Sequence, residues 1–126
     1  MGLGVLAVDD SRTIRALISI TLQRAGMHVT TADDGQHGVT IIDAGLIPDL
    51  IITDINMPRL DGFGLIHAVR AKEALRAVPI LVLTTESAPA MRERARTAGA
   101  TGWITKPFHP DHLIRTIARV TSGAGA

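Results

Sequence analysis

Four stretches of the sequence place reactive groups directly after apolar runs. "VLAVDD" (Val5–Asp10) ends in two acids, and "IITDINMPRLDG" (Ile51–Gly62) carries three strand-forming residues straight into Asp54. "LVLTTES" (Leu81–Ser87) presents Thr84, and "GWITKPF" (Gly102–Phe108) presents Lys106. A buried strand has no use for an unpaired charge at its end, so these groups need a common purpose. Three carboxylates crowded together resist ionising unless they are protonated or neutralised by a cation. An all-oxygen donor set suits magnesium, which accepts one or two carboxylates and keeps several waters. Calcium loops space their acids differently and surround the ion with more protein oxygens. A magnesium ion held by Asp9, Asp10 and Asp54 leaves positions for a phosphate oxygen. Lys106 supplies a second positive centre, Thr84 a hydrogen bond, and a carboxylate is the available nucleophile. The chemistry such a set serves is phosphoryl transfer.

Taken singly, each residue has a plainer role. An Asp after a strand more often caps a helix than reacts, which applies to Asp10. Thr84 is a good β-former at a strand end, and an isolated Lys106 is usually a solvated charge. Only their conjunction at successive strand ends points to chemistry, and that conjunction depends on the elements that position them.

Short apolar runs alternate with segments of helical period. Val5–Val8 reads as a buried strand, followed by Ile14, Leu17, Ile18 and Leu22 at helical spacing and stopped by Gly26. His28–Ala32 alternates like an edge strand, and "DDG" (Asp33–Gly35) turns the chain into a weaker, β-branched helix. Leu50–Thr53 is the third strand, and a helix from about Gly62 to Lys72 buries Phe63, Ile66 and Val69. Ile80–Leu83 is the fourth strand. Ser87 as N-cap and Pro89 in the first turn open a fourth helix, closed near Ala98 by Gly99. Gly102–Thr105 is the last strand, and Leu113, Ile114, Ile117 and Val120 mark the last helix. Five strands alternating with five helices predict an α/β fold, a doubly wound five-stranded parallel sheet covered on both faces. In such sheets function gathers at the carboxyl ends of the strands, where Asp9, Asp10, Asp54, Thr84 and Lys106 all fall.

At 126 residues, 46% of them apolar, the chain makes one domain with a proper core: residues 1–121, followed by a disordered tail at 122–126. The absence of cysteine removes thiolate metal sites and cysteine nucleophiles and fits a reducing cytoplasm. No apolar run reaches a membrane span, no signal-peptide layout precedes the domain, and Leu6 stands where a myristoylation signal wants Ser or Thr. The net charge of +1 hides an asymmetry. Up to Phe63 four arginines face eight aspartates, whereas from Gly64 nine Lys or Arg face four acids. Nothing forms the dense basic stripe of a nucleic-acid binder, so neither membrane nor nucleic acid is an expected partner.

With their order and spacing, "VLAVDDS", "DINMPRLDG", "VLTTES" and "GWITKPF" resemble the receiver domains of two-component response regulators. The similarity is greatest to stand-alone chemotaxis regulators of the CheY type. The resemblance implies the flavodoxin-like receiver fold with strand order 2-1-3-4-5. It also implies that Asp54 is the phosphoacceptor, that Asp9 and Asp10 are the acid pair for magnesium, and that the Asn56 backbone carbonyl completes the protein ligands. Thr84 becomes the switch hydroxyl, Lys106 the phosphoryl-binding lysine, Trp103 the switch aromatic, and Lys106-Pro107 a cis peptide. Two positions depart from the best-known chemotaxis regulator: Ile55 replaces a tryptophan, and Trp103 a tyrosine. The acids that support dimers through the fourth and fifth helices are missing from "GATGW", so a monomer is expected.

The implied function is phosphoryl acceptance from a histidine kinase, followed by a surface change read by another protein. Chemotaxis is the leading circuit, through a flagellar motor switch or the kinase itself. The expected docking face comprises the fourth helix, last strand and last helix, with Arg92, Arg94, Arg96, Arg115 and Arg119. A phosphate sink or relay uses the same residues. A magnesium-dependent phosphohydrolase with an aspartyl nucleophile fits less well, because Asn56 stands where such enzymes place the acid that protonates the leaving group. A flavin-binding module needs a phosphate-cradling loop after the first strand, where Asp9 and Asp10 would repel phosphate.

Overall fold

A computed structural model describes residues 2–122. Of the tail expected at 122–126, residues 123–126 lie outside the described part. The chain runs β1 (Gly4–Val8), α1 (Arg12–Arg24), β2 (His28–Ala32), α2 (Gly35–Asp43), β3 (Leu50–Thr53) and α3 (Gly62–Arg70). It continues through a 3₁₀ turn at Glu73–Leu75 to β4 (Ile80–Thr84), α4 (Pro89–Ala98), β5 (Gly102–Thr105) and α5 (Pro110–Thr121). All strand pairs are parallel, in the order β2-β1-β3-β4-β5.

Alternation along each strand builds two apolar layers. Leu6, Val8, Ile51, Ile80 and Val82 face α2, α3 and α4. Val5, Ala7, Leu50, Ile52, Leu81 and Leu83 face α1 and α5. The central strands β3 and β4 are buried along their whole length, whereas β2 at the edge alternates between open and covered positions. Phe63, Ile66 and Val69 are buried as their spacing predicts.

Two sequence expectations are corrected at the helices. Leu17 is 44% exposed; α1 packs through Ile18 and Leu22, with Ile14 one turn earlier on the same line. Ser87 does not cap α4. Pro89 occupies the first turn, so the cap position falls on Ala88, which makes no side-chain capping bond. The third helix runs Gly62–Arg70, close to its expected end, and the Arg70 guanidinium donates to the carbonyls of Leu75, Arg76 and Gly99. Gly99 closes α4 at φ 120°, a conformation that suits glycine.

Candidate functional site

Strand register brings the reactive groups to one rim. Val8 pairs with Thr53, so the residues that follow them, Asp9 and Asp54, emerge side by side. Thr84 pairs with Thr105, and the Lys106 N–H donates to the Thr84 carbonyl at 2.7 Å. Ligand oxygens of Asp9, Asp10 and Asp54 lie within 4.8 Å of one another. Lys106 Nζ donates to Asp9 Oδ2 at 2.7 Å and to Asp54 Oδ2 at 2.9 Å. The remaining oxygens are held by backbone: Ser11 N–H donates to Asp9 Oδ1 at 2.8 Å, and Ile55 N–H to Asp54 Oδ1 at 2.6 Å.

Asp9 and Asp54 are almost covered, at 1% and 8% exposure, while Asp10 stays open to solvent. Burial raises the Asp9 pKa above the ordinary carboxylate value, outweighing the hydrogen bonds from Lys106 and Ser11. Burial pulls the Lys106 pKa down, but hydrogen bonds to Asp54 and Asp9 outweigh it and the net direction is upward. The lysine is therefore a firm ammonium. The acids, by contrast, remain under-neutralised, because one ammonium among three carboxylates leaves two negative charges. A hard dication matches that deficit, and carboxylate oxygens are the donors magnesium prefers. The residues present fit the ion.

The α1 cap falls to Ser11, whose Oγ accepts from Ile14 N–H at 3.2 Å, so Asp10 is not needed for capping. Thr84 is fully buried, and its Oγ1 accepts from Glu86 N–H at 3.3 Å, leaving the hydroxyl hydrogen for another acceptor. Asn56 is exposed on the loop after β3, and its side-chain amide donates to Glu86 Oε2 at 3.4 Å. The Lys106-Pro107 peptide is cis. Gly62 touches the site from behind: a Cβ there would run into the carbonyl oxygen of Asp54, and its N–H donates to the Ile55 carbonyl.

Trp103, half-buried, lines a groove of about 320 Å³ between α4 and β5 together with Pro89, Arg92, Ala95, Arg96 and Thr101. Arg94 does not join that groove, contrary to the sequence expectation. One residue past Glu93 on the helix, it turns toward α3 and sits 3.9 Å above the Phe63 ring. Arg96 is paired with Glu93, and Arg115 and Arg119 lie exposed on α5.

Residues 5–118 match the model of the response regulator receiver domain family. The chain belongs to that family. This receiver is similar to the chemotaxis protein CheY1 of Helicobacter pylori, 39% identical over 110 residues, covering 86% of this chain and 89% of that one. It superposes on chemotaxis protein CheY4 of Vibrio cholerae with TM-score 0.90 and 44% identity, covering 95% and 99% of the two chains. A second solved neighbour is the receiver domain of sensor histidine kinase PA1611 from Pseudomonas aeruginosa PAO1, with magnesium in its active-site cleft. Its TM-score is 0.89 at 31% identity, covering 97% and 99%. The chain spans 89% of CheY1 but 55% of a two-component response regulator of rice and 14% of the sensor histidine kinase CheAY of Helicobacter pylori. Receivers take their phosphoryl group from histidine kinases and bind magnesium in an acidic pocket. No helix among the described residues is long and apolar enough to cross a membrane.

One pair escaped the sequence reading. Asp34 caps α2 by accepting from His37 N–H at 2.8 Å, and it also accepts from Arg59 Nε at 2.6 Å and Nη2 at 3.0 Å. "DDG" reads as a turn and hides the cap, although an Asp just ahead of a helical segment is a capping signal. Nothing in "MPRLDG" marks Arg59 as more than a surface charge. Arg59 is also the one non-glycine residue with positive φ among those described, at 67°.

Proposed function

We propose that this receiver accepts a phosphoryl group on Asp54 from a partner histidine kinase and passes the signal on through a changed surface. The phosphorus–nitrogen bond of the donor phosphohistidine breaks as an Asp54 carboxylate oxygen forms a phosphorus–oxygen bond. The observation that carries the reading is the junction of Asp54, Asp9 and Lys106 through hydrogen bonds of 2.7 and 2.9 Å beside the open Asp10. Asp9, Asp10, Asp54 and the Asn56 carbonyl would hold magnesium, which when bound neutralises charge on the transferring phosphoryl oxygens. Lys106 shields the nucleophile from its acidic neighbour and binds the phosphoryl group once it arrives. Thr84 donates its free hydroxyl hydrogen to that group, and Trp103 then turns inward.

The similarity to chemotaxis regulators supports a chemotaxis circuit, with the target docking on the α4–β5–α5 face. That target is a flagellar motor switch or the kinase, and a phosphate sink or relay step is the alternative within signalling. The domain occupies residues 1–121 as a cytoplasmic monomer. Its only catalysis is of its own phosphorylation and dephosphorylation. Intact-mass measurement with acetyl phosphate tests the reading. One phosphate should be added in magnesium, and none in chelator or in Asp54→Ala. Phosphate on one of the five histidines would sink it.

A further inference from the structure

The loop between Asp54 and α3 contains a strained point that nothing in the acid pocket explains. Pro58 O accepts from Leu60 N–H at 2.7 Å, closing a three-residue turn around Arg59 with φ 67°. Positive φ in such a turn is rare for a residue with a long side chain, and it persists only where the surroundings over-determine it. Two contacts do so here, and both come from the start of α2. Asp34 grips the Arg59 guanidinium at two atoms, and Gly35 N–H donates to the Leu60 carbonyl at 3.0 Å. Gly35 lies so close that a Cβ there would collide with the Leu60 carbonyl oxygen. The Asp34 side chain is 6% exposed, so the pair is shielded on the carboxylate side even though the Arg59 side chain is 60% open. The far end of the loop is tied separately, by Gly62 N–H to Ile55 O at 2.8 Å.

We infer that Arg59 is a positioning residue: its clamp on Asp34 fixes the loop that carries Asn56 and so preorganises the magnesium site. This rests on the receiver reading, in which the Asn56 backbone carbonyl is a metal ligand. A loop held in one conformation before the ion arrives loses less freedom on binding. The clamp acts on this loop alone and touches neither Asp9 nor Lys106. The α2 N-terminus, which no part of the phosphoryl chemistry uses, thereby becomes a support for the site.

Two variants separate the clamp from simple folding. Asp34→Asn keeps a side-chain oxygen to cap α2 but removes the charge pair. Arg59→Gly keeps the left-handed backbone without strain but removes the guanidinium. In both, the magnesium dissociation constant from isothermal titration calorimetry should rise on the order of tenfold, the low end for outer supports of a metal site. The amides of Asn56 to Leu60 should exchange faster by hydrogen exchange. Arg59→Lys should recover only part of the affinity, since an ammonium cannot make the two-pronged contact. Wild-type magnesium affinity in both variants, whatever their melting temperatures, would overturn the clamp while leaving the receiver reading intact. If wild type itself takes up neither magnesium nor phosphate from acetyl phosphate, the receiver reading falls and the clamp with it.

Discussion

Lys106, at the end of β5, reaches Asp54, at the end of β3, across the intervening strand β4, with Nζ 2.9 Å from Asp54 Oδ2. The same ammonium holds Asp9, so one side chain balances two acids that burial would otherwise set against each other. Its position makes it a stabiliser of the resting site and, in the proposed reaction, the partner for incoming phosphate.

Removing that ammonium should cost stability in a way magnesium can offset. Lys106→Met should lose about 2 kcal/mol in chelator, in the range for hydrogen bonds to charged groups, and less in millimolar magnesium. Because the folded pKa of Lys106 is raised, its contribution is complete below the ordinary lysine value of about 10.4 and is lost as pH rises through the higher folded value. Urea denaturation of wild type and variant should show a constant gap near neutral pH that closes only in alkali. A gap that closes below pH 9 would contradict the raised pKa.

Magnesium should raise the melting temperature of wild type by relieving the excess negative charge of Asp9, Asp10 and Asp54. The gain is about 1.4 kcal/mol at ten times the dissociation constant. Asp10→Asn removes the exposed member of the trio and should shrink the response with little effect on the metal-free fold. Superimposable melts with and without the ion would remove the metal site.

Gly62 should tolerate no side chain. Gly62→Ala drives a methyl group against the Asp54 carbonyl and the Ile55 backbone, and overpacking of this kind costs about 1–3 kcal/mol. Because the shift falls on Asp54, the proposed phosphoacceptor, phosphorylation by acetyl phosphate should slow more than the loss of folded protein explains. A variant folded by circular dichroism and phosphorylated at the wild-type rate would contradict this.

Trp103, the single tryptophan, should report the switch. It is half-buried and lines the α4–β5 groove, so turning inward moves its ring to a drier setting. Phosphorylation should shift its emission to the blue or change its intensity, and Thr84→Ala should abolish the change while mass spectrometry still finds the phosphate. An unchanged spectrum in fully phosphorylated wild type would end the inward-turn reading.

The order of elements, the two-sided parallel sheet and the rim where the acids gather could all be read from the sequence. Apolar runs of strand length alternating with helix-period segments leave few other ways to bury both faces, and the carboxyl-end rule then places Asp9, Asp10, Asp54, Thr84 and Lys106. Local chemistry was enough for Gly99, where a helix end asks for glycine. The sequence could not decide which helix faces pack where: Leu17 and Ile18 are equally apolar, yet only Ile18 meets the sheet. Nor could it show that Arg94 leaves the groove for Phe63, since that depends on how α4 is rotated. The Arg59–Asp34 clamp is the extreme case, because its members stand 25 residues apart and neither carries a local signal for the other. Only the tertiary structure, by laying the loop after β3 against the start of α2, gives the strained turn its partner. Periodicity is a local property, and contact between distant polar side chains is not.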